Sequence, residues 1–236
     1  VAFIMRRMPE DHGWHPDGKT DAQVASGQAN MAQREFARSM TRREALRTWA
    51  FYLLVFSFGL FSINIVVMLL QSVPYLTDEG FTRVEAAGAI TVASVPAMVS
   101  KPIWGYFIDR LPAKPLAAGG AVLTGVALFW IVFSVEFSSL FWIYCAFFML
   151  GLGWGGMIPM QEVIWASYFG RRYLGAVRSA GLPFALILGA GAPLAVSYYH
   201  DMTGAYAGAL LVVAGLNVLS GLFLQLIRPP LAIQED

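Results

Sequence analysis

Two ionisable side chains, Lys101 and Glu162, interrupt stretches that are otherwise long and apolar enough to cross a membrane. Around the lysine the chain reads AAGAITVASVPAMVSKPIWGYFI over 86–108, followed at once by Asp109-Arg110. A charge at membrane depth costs at least ~2.5 kcal/mol, so it faces a partner, a cavity or a substrate. An ammonium placed there binds a carboxylate as a point charge. Once desolvated it also gives up its proton more readily, so an anion and a proton could share one site. Lys101 stands about 12 Å along the helix from Asp109, taking the usual rise per residue. Ala97, Lys101 and Gly105 are spaced by four and share a face, and the small neighbours mark a packing or cavity face. The bland alternative is a lysine snorkelling to the cytoplasmic interface. Eight residues from the helix end is deep for that, so a cavity position is the expectation.

Glu162 precedes Arg171 by nine residues and lies at similar depth. Three roles stay open for it: an ion pair with Lys101 across helices, a carrier of a coupling proton, or a structural acid at the mouth. Asn64, Gln71, Tyr75, Gln161 and Trp165 are the side chains able to orient a bound solute by hydrogen bonds and stacking. Each of them alone serves as readily as an interhelical contact.

Composition sets the class. Hydrophobic residues make up 57% of the 236 and charged residues 13%, about half the usual charged share of a soluble domain. Mean hydropathy is +0.59. Six uncharged or nearly uncharged runs predict membrane helices over 46–77, 84–108, 114–135, 138–168, 173–200 and 204–228, each near the length that a bilayer demands. No strand alternation occurs, so the expected fold class is an all-α membrane protein, a six-transmembrane-helix bundle occupying 41–228. Residues 1–40 read as the stub of a preceding helix followed by a cytoplasmic loop, and 229–236 as a cytoplasmic tail. On this reading the chain is a piece of a longer protein.

Basic residues set the expected orientation. Arg6, Arg7, Lys19, Arg34, Arg38, Arg42, Arg43 and Arg47 precede the first span. Arg110 and Lys114 follow the second, Arg171, Arg172 and Arg178 the fourth, and Arg228 the sixth, while the intervening loops hold only Arg83. The positive-inside rule then puts both termini in the cytoplasm of a plasma membrane, the inner one in a bacterium. Met31 onward reads as an amphipathic surface helix, with Thr41-Arg-Arg-Glu44 as a capping box. Gly105-Tyr-Phe-Ile-Asp109 and Ser197-Tyr-Tyr-His-Asp201 end the second and fifth spans, 92 residues apart. With an odd number of helices between them they point to opposite sides, the arrangement of a three-plus-three inverted repeat.

Several function classes find no support. His12, His15 and His200 sit in loops without further ligands, so no metal site and no cofactor is expected. No catalytic constellation argues for an enzyme, no nucleotide-binding loop is present, and no pattern beyond the basic linker suggests nucleic acid. The single Cys145 excludes a disulfide framework within the chain.

Three passages carry a resemblance. They are Gly105-Tyr-Phe-Ile-Asp109-Arg110 with Lys114; Gly151-Leu-Gly-Trp-Gly-Gly156 with Pro159, running into Tyr168-Phe-Gly-Arg-Arg172 and Leu174-Gly175; and Met8-Pro-Glu-Asp-His-Gly13 with Pro16-Asp-Gly18. Together they resemble the C-terminal half, helices seven to twelve, of a major facilitator superfamily transporter of the monocarboxylate or oxalate–formate antiporter-like kind. The first passage departs from the family at Pro112, where Gly is usual, and at Ala113, where a basic residue is usual. The resemblance implies a cytoplasmic gating motif at Gly105, Asp109 and Arg110. It implies a substrate-binding cation at Lys101, where relatives typically carry arginine before a proline, and a small organic anion such as a monocarboxylate moved by alternating access, proton-coupled or by exchange. The implied partners are the anionic substrate, a missing N-terminal six-helix half and membrane lipids. The alternatives are a major facilitator carrier for a neutral or drug-like solute, and a permease subunit relying on a separate ATPase.

Overall fold

A computed structural model of the chain describes residues 39–230. Most of the segment assigned to 1–40, including the helix expected from Met31, and the tail beyond 230 lie outside the described residues. Seven helices follow: α1 (Arg42–Ala45), α2 (Trp49–Asp78), α3 (Arg83–Ile108), α4 (Ala113–Glu136), α5 (Leu140–Phe169), α6 (Leu174–Thr203) and α7 (Ala207–Leu226). Among the described residues, α2 to α7 are long and apolar enough to cross a membrane. Helices suit that setting because each spanning backbone satisfies its own hydrogen bonds where water is absent.

Local chemistry sets the ends. The reciprocal Thr41–Glu44 cap is present: the Thr41 amide and hydroxyl donate to Glu44 Oε2 at 2.7 and 2.9 Å. Those bonds, the backbone one foremost, hold the Glu44 carboxyl below its ordinary range. α2 begins three residues later than the run at 46 suggested, because Thr48 turns out of the helix and its hydroxyl accepts from the Phe51 amide. α6 runs past 200 to Thr203, where Gly204 adopts a left-handed conformation (φ 73°) that stops it. α7 is shorter than expected. Ile227 is already extended, and Pro229-Pro230 cannot continue a helix. The Ile227 carbonyl left free there accepts from Lys114 Nζ at 2.7 Å and from the Tyr168 hydroxyl at 3.3 Å, tying three helices together at this end.

Short connections make successive helices antiparallel, and the packing then repeats with a swap. α3 lies on α5 as α6 lies on α2; α4 lies on α5 as α7 lies on α2; α4 and α7 pack on each other. Exchanging the first three spans for the last three leaves this pattern unchanged, and an odd offset of three helices inverts each element. That is the three-plus-three inverted repeat. One consequence bears on function. In their most apolar windows α3 and α6 are each only 28% buried, against 61% for α2 and 56% for α4. The equivalent helix of each repeat is therefore left with an uncovered flank.

Candidate functional site

Lys101 lies seven residues before the end of α3. The helix turns its small residues, Ala86, Ala89, Ala93, Pro96 and Ser100, inward against α5. Lys101 flanks this stripe and is exposed, together with Met98, Val99, Pro102 and Ile103. Among the described residues its ammonium has no hydrogen bond or ion pair. An unpaired charge on an apolar flank is costly at this depth, so the surrounding of that flank decides what Lys101 does.

Glu162 is not bonded to Lys101. It pairs with Arg178 of α6, one guanidinium nitrogen donating directly to a carboxylate oxygen. Arg178 falls inside the expected span 173–200, one turn into α6, and points back at α5, a pairing the sequence did not suggest. Both side chains remain partly exposed, 32% for Arg178 and 43% for Glu162. Beside the pair, α2, α5 and α6 border a small, half-open pocket of about 30 Å³ lined by Gln161, Trp165 and Arg178 among the apolar Val55, Phe58 and Leu182. The Trp165 ring is locked by edge contacts to Phe51 and a tilted stack on Phe169, and only 2% of the residue is exposed. Its indole N–H has no acceptor. Among the described residues Ser57 Oγ, Asn64 Nδ2 and Asn217 Nδ2 are likewise buried without a partner.

The remaining candidates do not join this group. Asn64 is fully buried and accepts from the Trp154 indole at 2.9 Å, linking α2 to α5. Gln71 donates to the Ser197 hydroxyl at 2.8 Å and to the Pro193 carbonyl at 3.2 Å, linking α2 to α6. Tyr75, 1% exposed, packs edge-on against Tyr206. These three line a path of about 16 Å up α2, each inside the bundle rather than on a shared opening. Near the far end of the same path His200 Nε2 meets Asp78 at 3.3 Å and its ring stacks on Tyr206, a second α2–α6 tie that the sequence did not suggest.

At the end of α3, Asp109 is the C-cap and Arg110 folds back so that its guanidinium lies 3.6 Å over the Tyr106 ring. Neither is ion-paired to a neighbouring helix among the described residues. Gly105 faces open space. A larger hollow of about 440 Å³ between α3, α4 and α5, lined by Val92, Trp130, Tyr144 and Cys145 among others, contains none of the charged candidates. No group of three or more His, Cys, Asp or Glu able to hold a metal occurs among the described residues.

A family model described as Major Facilitator Superfamily matches the chain twice, over residues 1–193 and 51–234. The chain belongs to the Major Facilitator Superfamily. Comparison with curated proteins gave no match. Membership agrees with six apolar helices in an inverted repeat, and makes this a multi-pass membrane transporter.

Proposed function

We propose that the chain is one half of a secondary active transporter that moves a small organic anion, such as a monocarboxylate, by alternating access. The observation that carries this reading is the unpaired Lys101 ammonium on the uncovered flank of α3. That flank and the matching one on α6 are where a second six-helix bundle would pack, and a lysine there would line the route between the two halves instead of facing acyl chains. There it offers an anion its one full positive charge within the α3 span, between Arg83 and Arg110. Coupling to protons or to counter-exchange both fit a site that also holds an acid in Glu162. We further take the membrane to be the plasma membrane, or the inner one in a bacterium, with the basic α2–α1 side cytoplasmic.

The test is uptake of labelled carboxylates by proteoliposomes containing the complete protein, with and without a pH gradient. Lys101→Ala should remove uptake while the protein still purifies as a folded membrane protein. Uptake at the wild-type rate in that variant would take Lys101 out of the site. Uptake of neutral solutes alone would replace the anion reading with a drug-like or neutral substrate.

A further inference from the structure

We propose that the corner between α1 and the α5–α6 turn, together with an aromatic strip running down α2 from it, binds an acidic phospholipid of the leaflet on that side. The proposal is independent of which solute is carried, and rests on the reading above only for where the second bundle packs. It starts from a repeat of residue type. Trp49, Tyr52 and Phe56 on α2 recur as Phe141, Tyr144 and Phe148 on α5, each 92 residues later. That is the offset which relates the ends of the second and fifth spans. Spacings of three and four residues place each trio on one helix face. All but Tyr144 are exposed, Trp49 to 84%. Because the repeats are inverted, one strip starts at the α1 end of the bundle and the other at the opposite end. The α2 strip turns away from the seam with α6: Gly59 faces Leu188 there, whereas Phe56 packs edge-on against Phe223 of α7. The α5 strip opens on the hollow of about 440 Å³ between α3, α4 and α5. With a second bundle on the flanks of α3 and α6, both strips face lipid, and aromatic rings at membrane ends suit the headgroup boundary.

The strips differ at their heads. At the α1 end the chain is folded so that arginines gather. The Met40 amide donates to the Phe169 carbonyl at 2.9 Å, and the Arg172 amide to the Ser39 hydroxyl at 3.2 Å. Gly170, at φ 78°, permits this approach, since a Cβ there would lie 2.6 Å from Ser39 Cα. Buried Ala45 then pins α1 against the bundle. Arg42, Arg43 and Arg47 are left exposed at the head of the α2 strip, on the corner that the turn with Arg171 completes. None of these four is ion-paired among the described residues. The nearby acids are engaged elsewhere: Glu44 by the Thr41 cap and Glu162 by Arg178. At the opposite end the loops offer Arg83 alone among Asp78, Glu79, Glu85 and Glu136. Guanidinium forks suit phosphate oxygens, and a basic cluster at the headgroup level attracts an acidic leaflet. Phe56 lies about 10 Å deeper along the helix than Trp49. A phosphate held at the arginines therefore lays its acyl chains on the aromatic rings. That continuity of charge with an apolar strip is what selects a lipid over free phosphate. The α5 strip, lacking the cations, takes acyl chains without preference for charge.

The experiment places the complete protein in phosphatidylcholine vesicles containing either phosphatidylglycerol or phosphatidylcholine with brominated acyl chains. The signal is the quenching of the tryptophan fluorescence that Trp49→Phe removes. Brominated phosphatidylglycerol should quench Trp49 at lower content than brominated phosphatidylcholine. Arg42→Gln, Arg43→Gln and Arg47→Gln should each reduce that preference about fivefold, while the three Arg→Lys changes together should keep most of it. Added sodium chloride should weaken the preference in the wild type, a reading that needs no variant to fold. Phe141→Trp in the Trp49→Phe background should be quenched equally by the two lipids. Equal quenching of Trp49 by both lipids would overturn the proposal, as would a preference that survives sodium chloride or a matching preference at Phe141→Trp. Quenching by neither lipid would mean that protein covers the corner, and overturns it too. Inorganic phosphate, compared with chloride at equal ionic strength, should leave the preference in place. If phosphate abolishes it, the arginines hold a soluble anion and the lipid proposal falls. None of these outcomes bears on carboxylate uptake, which the Lys101 variant decides.

Discussion

The seam between α3 and α5 and the seam between α2 and α6 occupy equivalent places in the two repeats, yet they are built differently. Along α3–α5 the backbones themselves meet. A Cβ built on Gly151 would fall on the Ala93 carbonyl, and one on Gly155 would lie 2.6 Å from the Ala97 carbonyl. The Leu152 carbonyl accepts from the Trp104 indole at 2.8 Å, a bond that close approach makes possible. Along α2–α6 side chains fill the space between the backbones. Gly59 faces the tip of Leu188, and Gln71 spans the gap with two hydrogen bonds. At one end of this second seam lies the pocket that Arg178 lines, at the other the His200–Asp78 contact. A repeat thus conserves which helices pair, while the residues at each seam decide which is closed and which has room for polar groups. Small residues produce the first kind because without a hydrophobic drive between helices in lipid, close van der Waals contact holds them.

Substitutions that move one seam toward the other test this contrast. Gly151→Ala should have the largest effect, a loss of about 3 kcal/mol, at the top of the usual range for overpacking, since a backbone carbonyl cannot step aside. Thermal unfolding in detergent would measure it, and a midpoint like the wild type's would mean the α3–α5 seam is not closed by backbone contact. Gln71→Leu should cost about 1–2 kcal/mol by the same assay, for two hydrogen bonds lost in a part-buried place. A neutral result there would show that the α2–α6 seam holds without its polar tie. Gly59→Ala should be nearly neutral, within about 1 kcal/mol, because the terminal methyl of Leu188 swings away and alanine favours the helix. A loss as large as that at Gly151 would erase the distinction between the seams.

Legibility from sequence followed the same division. The six spans were readable because length and apolarity are properties of each segment alone. Their ends moved by a few residues where a cap or a left-handed glycine intervened, as at Thr48 and Gly204. The glycines of α5 were visible in the sequence, but that Gly151, Gly155 and Gly156 press against α3 was not. Among the candidate site residues, depth was legible and direction was not. Glu162 and Lys101 stand at similar depth, yet Glu162 turns to α6. Asn64, Gln71 and Tyr75 turn into the bundle, for reasons that lie in helix rotation rather than in residue type.

What the residues determined unaided was a membrane-spanning chain of six helices and the depth of its two lone charges, because an unsatisfied backbone and a desolvated charge are costly wherever they occur in lipid. What only the tertiary structure decided was who faces whom. The rotation and crossing of each helix are set by the sum of its packing contacts. Those put Arg178 beside Glu162, left Trp165 with an unused donor, and turned Lys101 onto an open flank.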